Sequence, residues 1–257
     1  EQDRLNIKTP SDFEFPEEGI HIRWPDGPIE QEKRLISVKL KAAQAFVRTN
    51  KLDRISHTVS KKRLGIVAPG KAWLNVCQAF DELDLSQSER EDLGIGVFKV
   101  AMPWPLEPTR IRDWAKDFDE IIVIEEKRNL IEDQLARVIY DLQEKERPRL
   151  IGKRDVDGNL LVPEFGELNG TLIAQIIANR FLDEGSNNCL VTAAAKIKAR
   201  TENTNRPAAP SERSPWFCAG CPHNSSTKVP EGSRALAGIG CHTMAVYMDR
   251  KTAAYTH

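Results

Sequence analysis

Between Arg63 and Lys153 the chain alternates short apolar runs with longer amphipathic stretches, and few folds accept that pattern. Leu64–Ala68, Val97–Ala101, Ile121–Ile124 and Leu150-Ile151 have the length of buried strands. Ala72–Leu83 reads as a helix with Trp73, Val76, Cys77, Phe80 and Leu83 on one face, entered through a Pro69-Gly70 turn. Met102–Pro108 contains Pro103, Pro105 and Pro108 and is expected to be irregular, because proline denies the backbone its donors. Thr109 is the expected cap of a helix through Phe118, and Asn129 of a longer helix striped by Ile131, Leu135, Val138, Ile139 and Leu142. Strands and helices in this order predict an α/β fold, a parallel sheet flanked by helices on both faces.

The flanks are less regular. Residues 1–28 carry Pro10, Pro16, Pro25 and Pro28 and read as an extended connector that packs on other domains, with a turn at Trp24-Pro25-Asp26-Gly27. Ile29–Asn50 has helical spacing through Leu35, Val38, Ala42, Ala45 and Phe46, and Leu52–Val59 reads as a short strand. Ser86–Asp92 reads as a solvated loop and helix. Val156–Val162 reads as a hairpin around Asp157-Gly158, followed by helices over Thr171–Leu182 and Asn187–Arg200. Thr201–Pro215 is rich in Asn, Pro, Ser and charge, the composition of an exposed linker. These boundaries divide the chain into a connector and packing helix (1–60), the α/β domain (61–153), a hairpin and helical extension (154–200), a linker (201–215) and a further domain beginning at 216. Glu1 in place of a methionine is expected of a piece of a longer protein.

Net charge is −1, with basic and acidic residues interspersed, which argues against nucleic acid as a partner. No apolar run reaches the roughly 18 residues that a membrane helix needs, and the first residues lack a secretion signal. The five cysteines are an odd number, and three of them cluster late in the chain. A secreted disulfide framework would be denser and even-numbered, so a cytoplasmic location is expected.

Those three are Cys218, Cys221 and Cys241. Cys218 and Cys221 form a C-x-x-C pair, in which a turn through Gly220 brings two sulfurs to one side. Cys241 sits in Gly238-Ile239-Gly240-Cys241-His242. Thiolates suit zinc and iron–sulfur clusters. On residue pattern alone four readings stand: unrelated buried thiols, a zinc site, a thioredoxin-type redox pair, and an iron–sulfur ligand set. Against zinc, adjacent Cys241 and His242 diverge, and a zinc ribbon needs a second spaced pair. Against the redox pair, Pro215-Trp216-Phe217 makes a poor strand. Cys77 and Cys189 lie in apolar helical patterns and read as core.

Phe217-Cys-Ala-Gly-Cys-Pro-His-Asn-Ser-Ser-Thr227 and Pro230-Glu-Gly-Ser-Arg-Ala-Leu-Ala-Gly-Ile-Gly-Cys-His242 resemble the start of the thiamine-diphosphate domain of 2-oxoacid:ferredoxin oxidoreductases, and most closely the fused indolepyruvate type. Weaker resemblance runs through Ile22–Asp26, Arg63–Val67 and Val123–Arg128. The resemblance implies that 61–153 is similar to a transketolase C-terminal domain and that 216–257 opens a thiamine-diphosphate-binding α/β domain. It implies Cys218, Cys221 and Cys241 as three ligands of a 4Fe–4S cluster, the fourth lying further on. It implies Ile239, Gly240, Cys241 and His242 beside thiamine diphosphate, whose magnesium motif is not in this chain. It implies oxidative decarboxylation of an aryl- or branched 2-oxo acid to an acyl-CoA. Coenzyme A is then a substrate, and electrons pass through the cluster to ferredoxin. The expected partners are the 2-oxo acid, ferredoxin, the remaining domains of the enzyme and further copies in a homo-oligomer, with no nucleic acid and no membrane. No catalytic residue is assigned. The alternative is a non-catalytic zinc-binding or interdomain docking module.

Three further motifs bear on chemistry. His223, directly after the C-x-x-C, either donates to a thiolate or sits in a solvated loop, while Ser225, Ser226 and Thr227 suit helix capping. Gly65-Ile-Val-Ala-Pro-Gly-Lys71-Ala72 resembles a P-loop but is too apolar between its glycines and lacks the metal-binding hydroxyl at Ala72. Glu125–Arg128 follows a parallel strand, where ligands gather, and is read as an interdomain contact in preference to a catalytic group.

Overall fold

The computed structural model describes residues 6–21, 25–116, 118–182, 188–203, 214–248 and 250–253. By their internal contacts the residues fall into two units, Glu1–Thr201 and Glu202–His257.

The larger unit begins with α1 (Pro28–Arg34), a π-helical turn over Leu35–Lys39 and α2 (Leu40–Thr49). The single helix expected over Ile29–Asn50 therefore contains a π-turn, and its buried stripe shifts to Ala42, Ala45 and Val47, leaving Leu35 and Phe46 exposed. Asn50 bonds both ways with the Lys8 backbone, and Arg48 pairs with Asp12, so the extended N-terminal stretch packs against α2. Then follow β1 (Arg54–His57), β2 (Leu64–Pro69), α3 (Gly70–Glu82), α4 (Gln87–Asp92), β3 (Ile95–Val100), α5 (Pro108–Ala115), β4 (Glu120–Val123), α6 (Leu130–Tyr140) and β5 (Arg149–Ile151). Last come α7 (Gly170–Leu182) and α8 (Asn188–Asn203).

The sheet order is β1-β3-β2-β4-β5. The four strands from β2 to β5 pair in parallel, as the alternation predicts. β1 is the exception: it lies antiparallel on β3, so the sheet is mixed at one edge. Because β1 belongs to the sheet, the α/β unit starts before residue 61. Side chains alternate between the two faces. Leu64, Ile66, Ala68, Ile95, Val97, Ile122 and Ile124 meet α3, α7 and α8. Val67, Phe98, Val100, Ile121 and Val123 meet α5 and α6. Residues 154–200, expected as an extension, thus supply the second cover of the sheet, and the expected linker over 201–215 starts inside α8, with 204–213 outside the described residues.

Two caps differ from expectation. Glu107, fully buried, accepts from Thr109 N and Arg110 N and is itself bonded by Arg48, so it, and not Thr109, starts α5. Asn129 makes no cap bond; the buried Glu125 carboxylate accepts from Ile131 N and Glu132 N instead. Both carboxylates come from the loops leaving strands. The hairpin forms around Asp157-Gly158, with Gly158 at φ +84° and pairing that begins at Arg154–Leu160. α4 carries a full Ser86/Glu89 capping box.

Gly65 and Gly96 face each other across β2 and β3. A methyl group on Gly96 would stand 2.7 Å from Phe118 Cζ, and one on Gly65 2.9 Å from Trp114 Cη2. The two glycines make room for the Trp114–Phe118 ring pair, whose centroids are 4.7 Å apart. Gly96→Ala should therefore overpack this face and lower stability by about 1–3 kcal/mol in chemical denaturation.

His57 on β1 sits edge-on to Phe80, with centroids 5.7 Å apart, and burial, aided by the Arg90 charge, lowers its pKa from the ordinary 6.5. The unfolded chain then takes up a proton that the native imidazole does not, so this contribution is intact above pH ~6.5 and fades as pH falls below it. Denaturation midpoints measured from about pH 7.5 down to 5.5 should fall with pH, and His57→Gln should flatten that slope.

Candidate functional site

The smaller unit holds α9 (His223–Ser226), the two-residue strands β6 (Ala235–Leu236) and β7 (Thr252–Ala253), which pair in parallel, and a 3-10 stretch over Gly240–Tyr247. Phe217, Ala245 and Met248 form its apolar centre, with Cys221 and Met244 packed against it.

Cys218 and Cys221 sit at the two ends of a tight turn. Cys221 N donates to Cys218 O at 3.0 Å, and Gly220 takes φ +76°, the left-handed region that such turns reserve for glycine. Asn224 closes the turn by donating its side-chain amide to Cys218 O. Cys218 is exposed and Cys221 half-buried, so one sulfur faces water and the other faces the apolar centre.

His223 opens α9. Its Nδ1 lies 3.2 Å from Cys221 Sγ, and its ring stacks on Phe217, with centroids 5.2 Å apart and planes 23° apart. Thr227, one of the residues expected to cap a helix, is the C-terminal cap residue of α9 and donates its hydroxyl to His223 O. Arg250 donates to Asn224 O and to Thr227 Oγ1 and lies over the Trp216 and Phe217 rings. Neither Arg250 nor the apolar centre was singled out from the sequence. Arg250 is one of many arginines, and nothing in its neighbours marks it.

The second turn lies close by. The His223 and His242 rings are 6.1 Å apart, which brings the Gly238–His242 turn beside the C-x-x-C. Gly240 takes φ +87°, Ile239 is well exposed, and Cys241 is exposed. Gly238 N donates to His242 Nδ1 at 2.8 Å, and Thr243 Oγ1 donates to Gly238 O. A nitrogen that accepts an N–H carries no hydrogen, so the neutral His242 keeps its proton on Nε2. The structure thus places Cys221, His223 and His242 in one neighbourhood, with Cys218 and Cys241 one short step along their turns. Among the described residues no three His, Cys, Asp or Glu side chains are already gathered as a metal cage.

The other sequence candidates fall elsewhere. Cys77 is half-buried on α3, and burial pushes its thiol pKa up. The Cys189 side chain lies outside the described residues. Gly65–Pro69 is strand, so the P-loop-like stretch forms no phosphate cradle there, and Lys71 bonds Glu126 and Leu168 O. Glu125 is used up as a helix cap, Lys153 donates to its backbone oxygen, and Lys127 donates to Gly166 O; these groups serve the sheet unit itself. No helix of the described residues is long and apolar enough to cross a membrane.

A sheet covered on both faces, followed along the chain by a small thiol-bearing unit, defines an α/β protein with a candidate soft-ligand centre. The model of the indolepyruvate oxidoreductase domain matches residues 54–204, more than half of the chain, and the chain belongs to that family. Two relatives are each named indolepyruvate oxidoreductase subunit IorA. The one from Methanothermobacter marburgensis is 24% identical over 87% of this chain and 33% of its own length. The one from Methanothermobacter thermautotrophicus is 23% identical over 97% of this chain and 38% of its own. The chain thus spans about a third of the length of these relatives. Among solved structures, a split-gene transketolase in an inactive β4 tetramer aligns at 18% identity with a TM-score of 0.33, over 49% of this chain and 40% of that one.

Exposure orders the thiols. In metal-free protein, alkylation by iodoacetamide followed by peptide mass spectrometry should label Cys218 and Cys241 well before Cys221, and Cys77 slowest of the four.

Proposed function

We propose that this chain is part of a 2-oxo acid oxidoreductase of the indolepyruvate type, and that its smaller unit opens the thiamine-diphosphate domain. The observation that carries this reading is the proximity of the two cysteine turns through His223 and His242, in a chain whose sheet unit belongs to the indolepyruvate oxidoreductase domain family. The reaction proposed is oxidation of an aryl- or branched 2-oxo acid with coenzyme A to carbon dioxide and an acyl-CoA, with two electrons passed to ferredoxin. The relatives are named as subunits, which supports further domains or subunits as partners.

The donor set suits a thiolate-held centre. Three thiols lie on glycine-containing turns, and C-x-x-C spacing is common to zinc and iron–sulfur sites. Cys218, Cys221 and Cys241 would hold a 4Fe–4S cluster together with a fourth ligand from elsewhere. Thiamine diphosphate with magnesium would supply a carbanion nucleophile and an electron sink when bound. Ile239, Gly240, Cys241 and His242 would form the wall against it.

What the residues do follows from their geometry. Gly240, in the left-handed region and with open space where a side chain would stand, lets backbone approach a ligand closely. The Gly238 N–H fixes the His242 ring and leaves its Nε2–H as a donor. Phe217, Ala245 and Met248 keep water from one side of Cys221.

The test is metal and sulfide analysis of the full-length protein purified without oxygen, together with oxidation of indolepyruvate. We expect iron and acid-labile sulfide, and loss of both the cluster and the activity, by about 100-fold or more, in Cys218→Ser and Cys241→Ser. Zinc in place of iron, or full activity in those variants, would contradict the proposal.

A further inference from the structure

Of the groups in the smaller unit, His223 is the one whose placement the reaction above leaves without a task. It is held from several directions. Its ring stacks on Phe217, its carbonyl accepts from Thr227 Oγ1 at 2.6 Å, and Arg250 secures Thr227 in turn. A solvated loop histidine would have none of these restraints. The result of the restraint is one polar contact, Nδ1 at 3.2 Å from Cys221 Sγ. Cys221 is also the half-buried member of the C-x-x-C pair, packed against the apolar centre, where a hydrogen bond to sulfur meets less competition from water.

We propose that His223 is a positioning residue that donates a hydrogen bond from Nδ1 to the Cys221 sulfur and so raises the reduction potential of the centre that sulfur ligates. The inference rests on the reading of Cys221 as a cluster ligand. A metal-bound thiolate has no hydrogen to give, so the bond requires the proton on His223 Nδ1. Donation to a ligand sulfur withdraws charge from it. Reduction adds negative charge to the cluster, so the bond is stronger in the reduced state and favours it. The Phe217 stack and the neighbouring His242 ring, 6.1 Å away, keep the imidazole plane from turning away.

The experiment compares the full-length protein with His223→Leu, which keeps the apolar packing on Phe217 but has no donor, and with His223→Gln, whose amide restores one. Iron and sulfide content is measured first, and the cluster potential is then followed by electron paramagnetic resonance in a redox titration. The expected result is a cluster in all three proteins and a more negative potential in His223→Leu. A tenfold loss in the one-electron reduction constant corresponds to about 59 mV. His223→Gln should recover part of that shift. Should His223→Leu lose its cluster while His223→Gln keeps it at a near-native potential, the donor role is again supported. Loss of the cluster in both variants assigns His223 a purely structural part and overturns the proposal, as does an unchanged potential in His223→Leu. A wild-type protein with no iron overturns the ligand reading itself, and is told apart from the other failures by the first measurement.

Discussion

The parallel strands β2, β3 and β4 are buried on both faces, and α5 and α6, the helices that follow β3 and β4, are each started by a carboxylate that is itself buried. A backbone donor left buried without a partner would cost about 1–3 kcal/mol. Buried carboxylates solve the problem. Glu107 accepts from two N–H groups at the start of α5, and Glu125 does the same for α6. The solution has its own cost: burial is the largest influence on Glu125 and raises its pKa, against the N–H bonds and the nearby Lys153, which lower it. Arg48 pairs with Glu107 from α2, so the cap of one helix also fastens the N-terminal helix to the sheet unit.

That arrangement explains what could be read in the sequence and what could not. The positions of the parallel strands were legible because each is a short apolar run. The helices α3, α5, α6 and α7 were legible from their apolar stripes. The caps were not. Thr109 and Asn129 have the right chemistry and the right position for exposed helix starts. At α5 and α6 a longer, buried side chain reaches in from the loop after the strand instead, and no local pattern announces it. The antiparallel direction of β1 was hidden for a similar reason: a four-residue strand with mostly exposed side chains carries no mark of direction. Gly65 read as an ordinary strand residue and Gly96 lay just before the expected strand, so neither pointed to the space that Trp114 and Phe118 fill.

In the smaller unit the balance is reversed. There is little secondary structure to read, yet the cysteines and glycines stood out by type and spacing. The left-handed Gly220 and Gly240 do what glycine at such turns is expected to do. The sequence did not reveal how the two turns are tied. Phe217, His223 and His242 contribute rings, and Arg250 contributes a clamp from beyond the second turn. Those contacts depend on the chain folding back on itself, which spacing alone does not encode. Of the three thiols in this unit they leave one half-buried and two exposed.

The most direct test of this account is Mössbauer spectroscopy on the full-length protein, prepared without oxygen, beside its Cys241→Ser variant. The account predicts the signature of a thiolate-bound four-iron cluster in the parent and its loss or conversion in the variant. A spectrum unaltered by replacing Cys241, or a parent protein without iron, would contradict it.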